Sequence, residues 1–448
     1  MSLEQLKNTR SRWNTLSKVD QLGAIDFWTL TISLDALNPK DTAGLSVSDL
    51  RIPEGTIFDL VEYERRKKVL TLAAHEYTHF VDATSSLWGM HHLSYINACH
   101  VVDIHSEDQF FLLKRSHDYM RSIRLPDYYT TVNRKLSSQR PWRSHVTSGV
   151  MFSSDGRVTD RPIIFMNFLT AENNRLVRSP LSTVSLLEAS AMAKEIDVRL
   201  YLMKHLREQE RIVEGEILKK EMLDYIYNPE ITEYSACVHL LANLQGEQDM
   251  GVAFKTTGML CRIALNAPNI SFKTASKHIE VYAEKMGLGK TGVAVSRLKS
   301  ALEQCNRGAL FYLIAVLLPK GALESMGRFL SSLDGALRSV GLSIEKLRRG
   351  SHDEARELHE LLSVSGLPSI RSLARHGYEN FKKVFPAGLH YPLGELSLPP
   401  SLHGDDEMTQ YMFHAGERNE LRSLDLQSTY DELFECQRIA ENFAEACI

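Results

Sequence analysis

From Lys68 to Trp88 the chain reads KVLTLAAHEYTHFVDATSSLW, and its apolar residues recur at the helical period. Set His75 at zero and add about 100° per residue. Val69, Leu70, Ala73, Tyr77, Phe80, Val81, Leu87 and Trp88 then fall in one arc centred opposite it. Lys68, Thr71, His75, His79, Asp82 and Ser86 share the other side. Such a helix, expected from about Glu62 to Trp88 with Gly89 ending it, must lay its apolar arc on a core. Its two histidines leave from the polar arc, one turn apart.

That spacing suits two imidazoles converging on one ion. Zn²⁺ takes neutral imidazole nitrogens at ~2.0–2.1 Å, and an i, i+4 pair on a rigid helix supplies two corners of a tetrahedron. A catalytic site leaves one corner to water and needs a carboxylate beside that water to accept its proton. Glu76, turned about 100° from His75, would flank the ion without binding it. The segment His75-Glu76-Tyr77-Thr78-His79 matches HExxH, and here the chain resembles the zincin metallopeptidases. The resemblance covers this helix and its near surroundings. It implies His75 and His79 as zinc ligands and Glu76 as general base.

Metzincins continue as HExxHxxGxxH, and Asp82 and Ser85 occupy those later positions here, which excludes that class. The gluzincin arrangement, with a Glu from a following helix, implies Glu188 as third ligand. It lies in STVSLLEASAMAKEID, where small residues after it would let two helices approach closely. The same residue completes an S-x-x-E pattern with Ser185, so a helix capping box is the competing reading. Glu195, two turns on, is a reserve ligand or a partner behind the ligands, and Asp82 could likewise hold an imidazole N–H. His145, Tyr128, Tyr129 and Tyr234 are unranked candidates to steady a developing oxyanion. His91, His92, His100 and His105 read as ordinary surface or core residues.

Ala24–Leu34 and Arg161–Leu169 read as strands, and residues 127–160, polar and broken by Pro141 and Gly149, as a long irregular segment. Helical patterning is expected over 91–123, over 183–227 with a break near Gly215, and over most of the chain beyond Pro229. Phe385–His403, with four prolines, reads as a loop, and a last helix is expected from Leu424 to Cys447. EKMGLGKTG fails as a phosphate-binding loop, because Glu284 stands where its first glycine belongs; it reads as a helix cap and turn. The expected fold is mainly α (α+β). A zincin-like unit of helices against a small sheet spans 1–228, and a helical domain spans 229–448.

A formal net charge of −4 without clustered Lys and Arg argues against nucleic acid as a partner. The amphipathic start, MSLEQLKNTRSRWNTLSKVD, lacks the apolar core of a secretory signal. The longest apolar run, Ala309–Pro319, is too short for a bilayer, which needs ~20 residues. Six scattered cysteines without a CxxC pair suit a reducing compartment, so the cytoplasm is expected. The expected activity is zinc-dependent hydrolysis of peptide bonds in a protein or peptide substrate. Its rivals are a catalytically silent zincin-fold interaction protein and a zinc hydrolase of a non-peptide amide. Oligomeric state is not legible.

Overall fold

The computed structural model describes residues 22–103, 105–153, 156–384, 391–405, 407–414 and 419–446. The expected amphipathic start and the first part of the Pro-rich stretch, 385–390, lie outside them. The chain is mainly α with two four-stranded sheets, and no helix among the described residues is long and apolar enough to cross a membrane. Its two compact units interleave in sequence. One comprises Met1–Arg121, Ala191–Ile217 and Ala355–Ile448, the other Ser122–Ser190 and Leu218–Glu354. The cut expected at 228/229 therefore falls within the second unit. In the first unit, Leu87 and Met90 pack with Ala355 and Phe381, an association that a reading along the chain does not reveal.

In the first unit, strands β1 (Ala24–Ile25) and β2 (Ile32–Leu34) form an antiparallel hairpin. The single strand expected over Ala24–Leu34 is folded back because the Asp26 carboxylate accepts the N–H groups of Trp28 and Thr29 at 2.9 and 2.7 Å, tying a tight turn. Helix α1 (Leu60–Ser85) follows, capped by Asp59, whose side chain accepts from the Glu62 N–H at 2.9 Å. Its first turns are charged and laced by pairs such as Arg66 with Glu62. From Val69 to Ser85 most residues are buried on both arcs, the supposed polar arc included.

Ser86 ends α1 and starts α2 (Leu87–Val101), donating its hydroxyl to the Asp82 carbonyl at 2.6 Å and accepting the Gly89 N–H at 2.9 Å. Gly89 thus lies inside a helix. It is needed there because a Cβ would strike the Asp82–Thr84 backbone. The helix expected over 91–123 is likewise two, with α3 at Phe110–Ile123.

The second unit holds a fully antiparallel sheet in the order β3-β6-β5-β4: β3 (Thr131–Val132), β4 (Arg143–Phe152), β5 (Val158–Leu169) and β6 (Arg175–Pro180). Strand β4 overturns the irregular reading of 127–160. Its polar residues are tolerated because it is an edge strand that stays partly exposed, paired with β5 from Arg143↔Leu169 to Phe152↔Val158.

Helix α4 (Thr183–Met203) runs unbroken across the division at Ser190/Ala191. The next helix, α5 (Glu208–Ile226), starts after a break at 204–207, and Gly215 lies within it. Helices α6 (Thr232–Gln245) to α13 (Ile344–Ser363) fill the remainder up to Ser363. The GLGKTG segment is a helix end and turn, with Gly287 at φ +64°.

The first unit closes with α14 (Pro368–Val384), β7 (Ser401–His403), β8 (Gln410–Tyr411) and α15 (Leu426–Ala446). Strand β7 pairs parallel with β2, Ser33↔Leu402 and Leu34↔His403, and gives the sheet order β1-β2-β7-β8. The end of the expected Pro-rich loop is therefore a buried strand, for which β2 supplies the partner.

Candidate metal centre

Helices α1 and α4 run antiparallel, with Lys67 near Arg199 about the Glu214 carboxylate and His75 beside Glu195. Lys67 and His75 both reach toward α4, although eight residues set them about 80° apart round α1. The Nε2 atoms of His75 and His79 stand 3.2 Å apart. Nitrogens bound at ~2.0–2.1 Å to a tetrahedral ion stand about 3.3–3.4 Å apart, so the two rings are poised as neighbouring corners.

Glu188, on the N-terminal half of α4, completes the group. One ligand atom from each of His75, His79 and Glu188 lies within 4.8 Å of the others, and all three side chains are buried. Among the described residues this is the cluster of His, Cys, Asp and Glu able to share one ion. The donor set fits a divalent metal: two imidazoles and a carboxylate, in a place where water competes poorly.

The protonation states agree with that use. His75 Nδ1 lies 2.9 Å from Glu195 Oε2, and a carboxylate only accepts, so Nδ1 carries the proton and Nε2 keeps its lone pair. Burial, and after it the neighbouring His75 ring, hold the His79 imidazole well below its ordinary value, in the neutral form a ligand must have. Glu195 thus stands behind His75 and not among the converging ligand atoms. The capping-box reading of Glu188 fails: Ser185 is the third residue of α4, and it accepts the Ser182 N–H at 3.3 Å.

Glu76 is 3% exposed. The chain at Gly23 lies against it, for a Cβ there would stand 3.0 Å from Glu76 Oε1. Asp82 is fully buried and accepts the Tyr391 hydroxyl. Tyr391 was not foreseen, because its position in a proline-rich stretch gives no hint that it reaches a helix hundreds of residues earlier.

The other histidines are accounted for otherwise. His92 donates Nε2–H to the Phe27 carbonyl at 2.6 Å and stacks on Trp88, and burial holds it down at about 4. His100 lies against Gly366. Among the unranked candidates His145, Tyr128, Tyr129 and Tyr234, the Tyr129 hydroxyl accepts the Phe152 N–H at 2.6 Å and so fastens β4.

No protein-family profile, no curated protein and no solved structure matches this chain.

Proposed function

We propose that this protein is a zinc-dependent metallopeptidase. The observation that carries the reading is the convergence of His75, His79 and Glu188 within 4.8 Å, with Glu76 following the first ligand on the same helix. Two imidazoles and one carboxylate are a ligand set of catalytic zinc, whose fourth position is taken by water or substrate. When bound, zinc would polarise a scissile carbonyl and lower the pKa of a water to about 7. Glu76 accepts the proton released by the attacking water and delivers it to the leaving amine. Glu195 holds His75 in the tautomer that offers Nε2.

The substrate is a protein or peptide. Near-complete burial of His75, Glu76, His79 and Glu188, at 5, 3, 3 and 3% exposure, favours selective cleavage over bulk digestion. Rapid, indiscriminate degradation of casein would count against this. A cytoplasmic setting is part of the proposal, supported by the free thiols of Cys99, Cys237, Cys305 and Cys436.

The same burial favours a second reading, a zincin-fold protein that holds zinc without turning over. Metal analysis of protein purified without added zinc, followed by hydrolysis of a peptide library by wild type and Glu76→Gln, separates the two. The peptidase reading expects stoichiometric zinc in both and cleavage only by wild type. Zinc in both with cleavage by neither decides for the second reading, and absence of zinc defeats both.

A further inference from the structure

Two turns before His75, the same pair of helices holds a second buried polar group. The Glu214 Oε1 atom accepts the Tyr63 hydroxyl at 2.8 Å, Lys67 Nζ at 3.2 Å, and Arg199 Nε and Nη2 at 3.0 and 2.7 Å. Tyr63 and Lys67 project from α1, Arg199 from α4 and Glu214 from α5. Lys67 also reaches Glu64 at 2.7 Å, so two cations are balanced by two carboxylates. Arg199 stands one turn beyond Glu195 on the same face of α4, while Lys67 precedes His75 by two turns on the matching face of α1.

We propose that Glu214 is a positioning residue for the metal centre: it clamps Arg199 of α4 to Tyr63 and Lys67 of α1 and so sets the register in which Glu195 meets His75 and Glu188 meets the imidazole pair. The inference rests on the metallopeptidase reading only for the existence of the ion site. Both helices are rigid rods, so a slip at the clamp is carried along the axis to the next contacts, about 6 Å per four residues. Removing the Glu214 charge also leaves Arg199 and Lys67 facing each other across the seam, where like charges push the helices apart and a nearby cation is disfavoured.

The test is zinc affinity of the full-length protein, measured by competition with a chromophoric chelator, together with the absorption spectrum of the cobalt(II)-substituted form. Glu214→Gln is expected to weaken zinc binding about tenfold, at the low end of losses seen when groups behind metal ligands are removed. The cobalt spectrum should shift, since ligand geometry changes. A purely stabilising role would lower the urea midpoint but leave the affinity and spectrum of the folded protein as in wild type, and that result overturns the proposal. If Glu214→Gln does not fold, Tyr63→Phe, which removes one donor and no charge, is read in its place. A smaller loss of affinity with a shifted cobalt spectrum supports the clamp, and wild-type values for both defeat it. A wild-type protein that binds no zinc would instead bring down the metal reading itself.

Discussion

The two polar clusters held between α1 and α4 are built on opposite principles. Around Glu214, a carboxylate meets two cations and a hydroxyl, so the charges compensate and the donors find acceptors without outside help. Around His75, two imidazoles and the Glu188 carboxylate converge, a grouping that a cation would complete. One helix pair therefore supplies both a fastening and a binding site, and the fastening lies where it can hold the site in register. The contrast separates a buried polar group that stabilises from one arranged for a ligand.

The comparison breaks most readily at the ligands. Removing one of three donors should cost roughly a third of a zinc-binding free energy of order 10 kcal/mol, more than a hundredfold in affinity. His79→Ala and Glu188→Ala are thus expected to purify without stoichiometric zinc, as metal analysis would reveal. Retention of full zinc by either would remove that residue from the ligand set.

At the fastening, the large effect should fall on stability. Leaving the partly buried Arg199 and Lys67 without their shared carboxylate is expected to cost about 3 kcal/mol in Glu214→Ala, the low end of the loss for a fully buried pair, read from urea unfolding. Acid should act at the same place. Burial raises the Glu214 carboxyl, but the Tyr63 and Arg199 hydrogen bonds and the Arg199 and Lys67 charges outweigh it and leave it below its ordinary 4.5. Its stabilising contribution is present above that ordinary value and is lost as pH falls through the depressed one. The wild-type advantage over Glu214→Gln should therefore shrink as pH falls below 4.5, and an advantage that acidification leaves unchanged would refute the assignment.

Histidines outside the site supply a third contrast. His92 in the first unit and His239 in the second are both held at about 4 by burial. The folded protein resists the proton that the unfolded chain accepts below 6.5, so stability should fall as pH drops from 6.5 to about 4 and level off below. Each could contribute up to about 3 kcal/mol at about 1.4 kcal/mol per unit. Urea midpoints of His92→Gln and His239→Gln across that range should slope less than wild type.

The smallest expected effect is at Gly23. A Cβ there would stand 3.0 Å from both Glu76 Oε1 and the Ser33 carbonyl oxygen and 3.1 Å from Leu72 Cδ1, so these neighbours must give by a few tenths of an ångström. Gly23→Ala is expected to lower peptide turnover roughly tenfold or less through misplacement of the base, with zinc affinity unchanged.

Legibility followed the range of the interaction. The His75, Glu76 and His79 arrangement was readable because an i, i+4 relation is set by helix geometry alone. Glu188 is suggested by the likeness to gluzincins, and the sequence offers Glu195 as ligand or supporting partner alike; its 2.9 Å contact to His75 Nδ1 favours the second. Tyr391, Gly23 and Glu214 were invisible, because each acts on a residue of α1 through a long-range contact. Strand β4 escapes the sequence pattern because that pattern is of an exposed edge, and Gly89 suggests a helix stop where it marks a close approach.

What the sequence by itself determined is local: the helical period, the pairing of imidazoles one turn apart, the glutamate beside them and the helix-rich character of the chain. These follow from backbone geometry, which each segment carries within itself. Tertiary structure alone decided that the polar arc of α1 is buried, which carboxylate converges on the imidazole pair and which lies behind His75, and how two interleaved units share the chain. Those outcomes depend on which distant surfaces meet, and that is settled by the packing of the whole core.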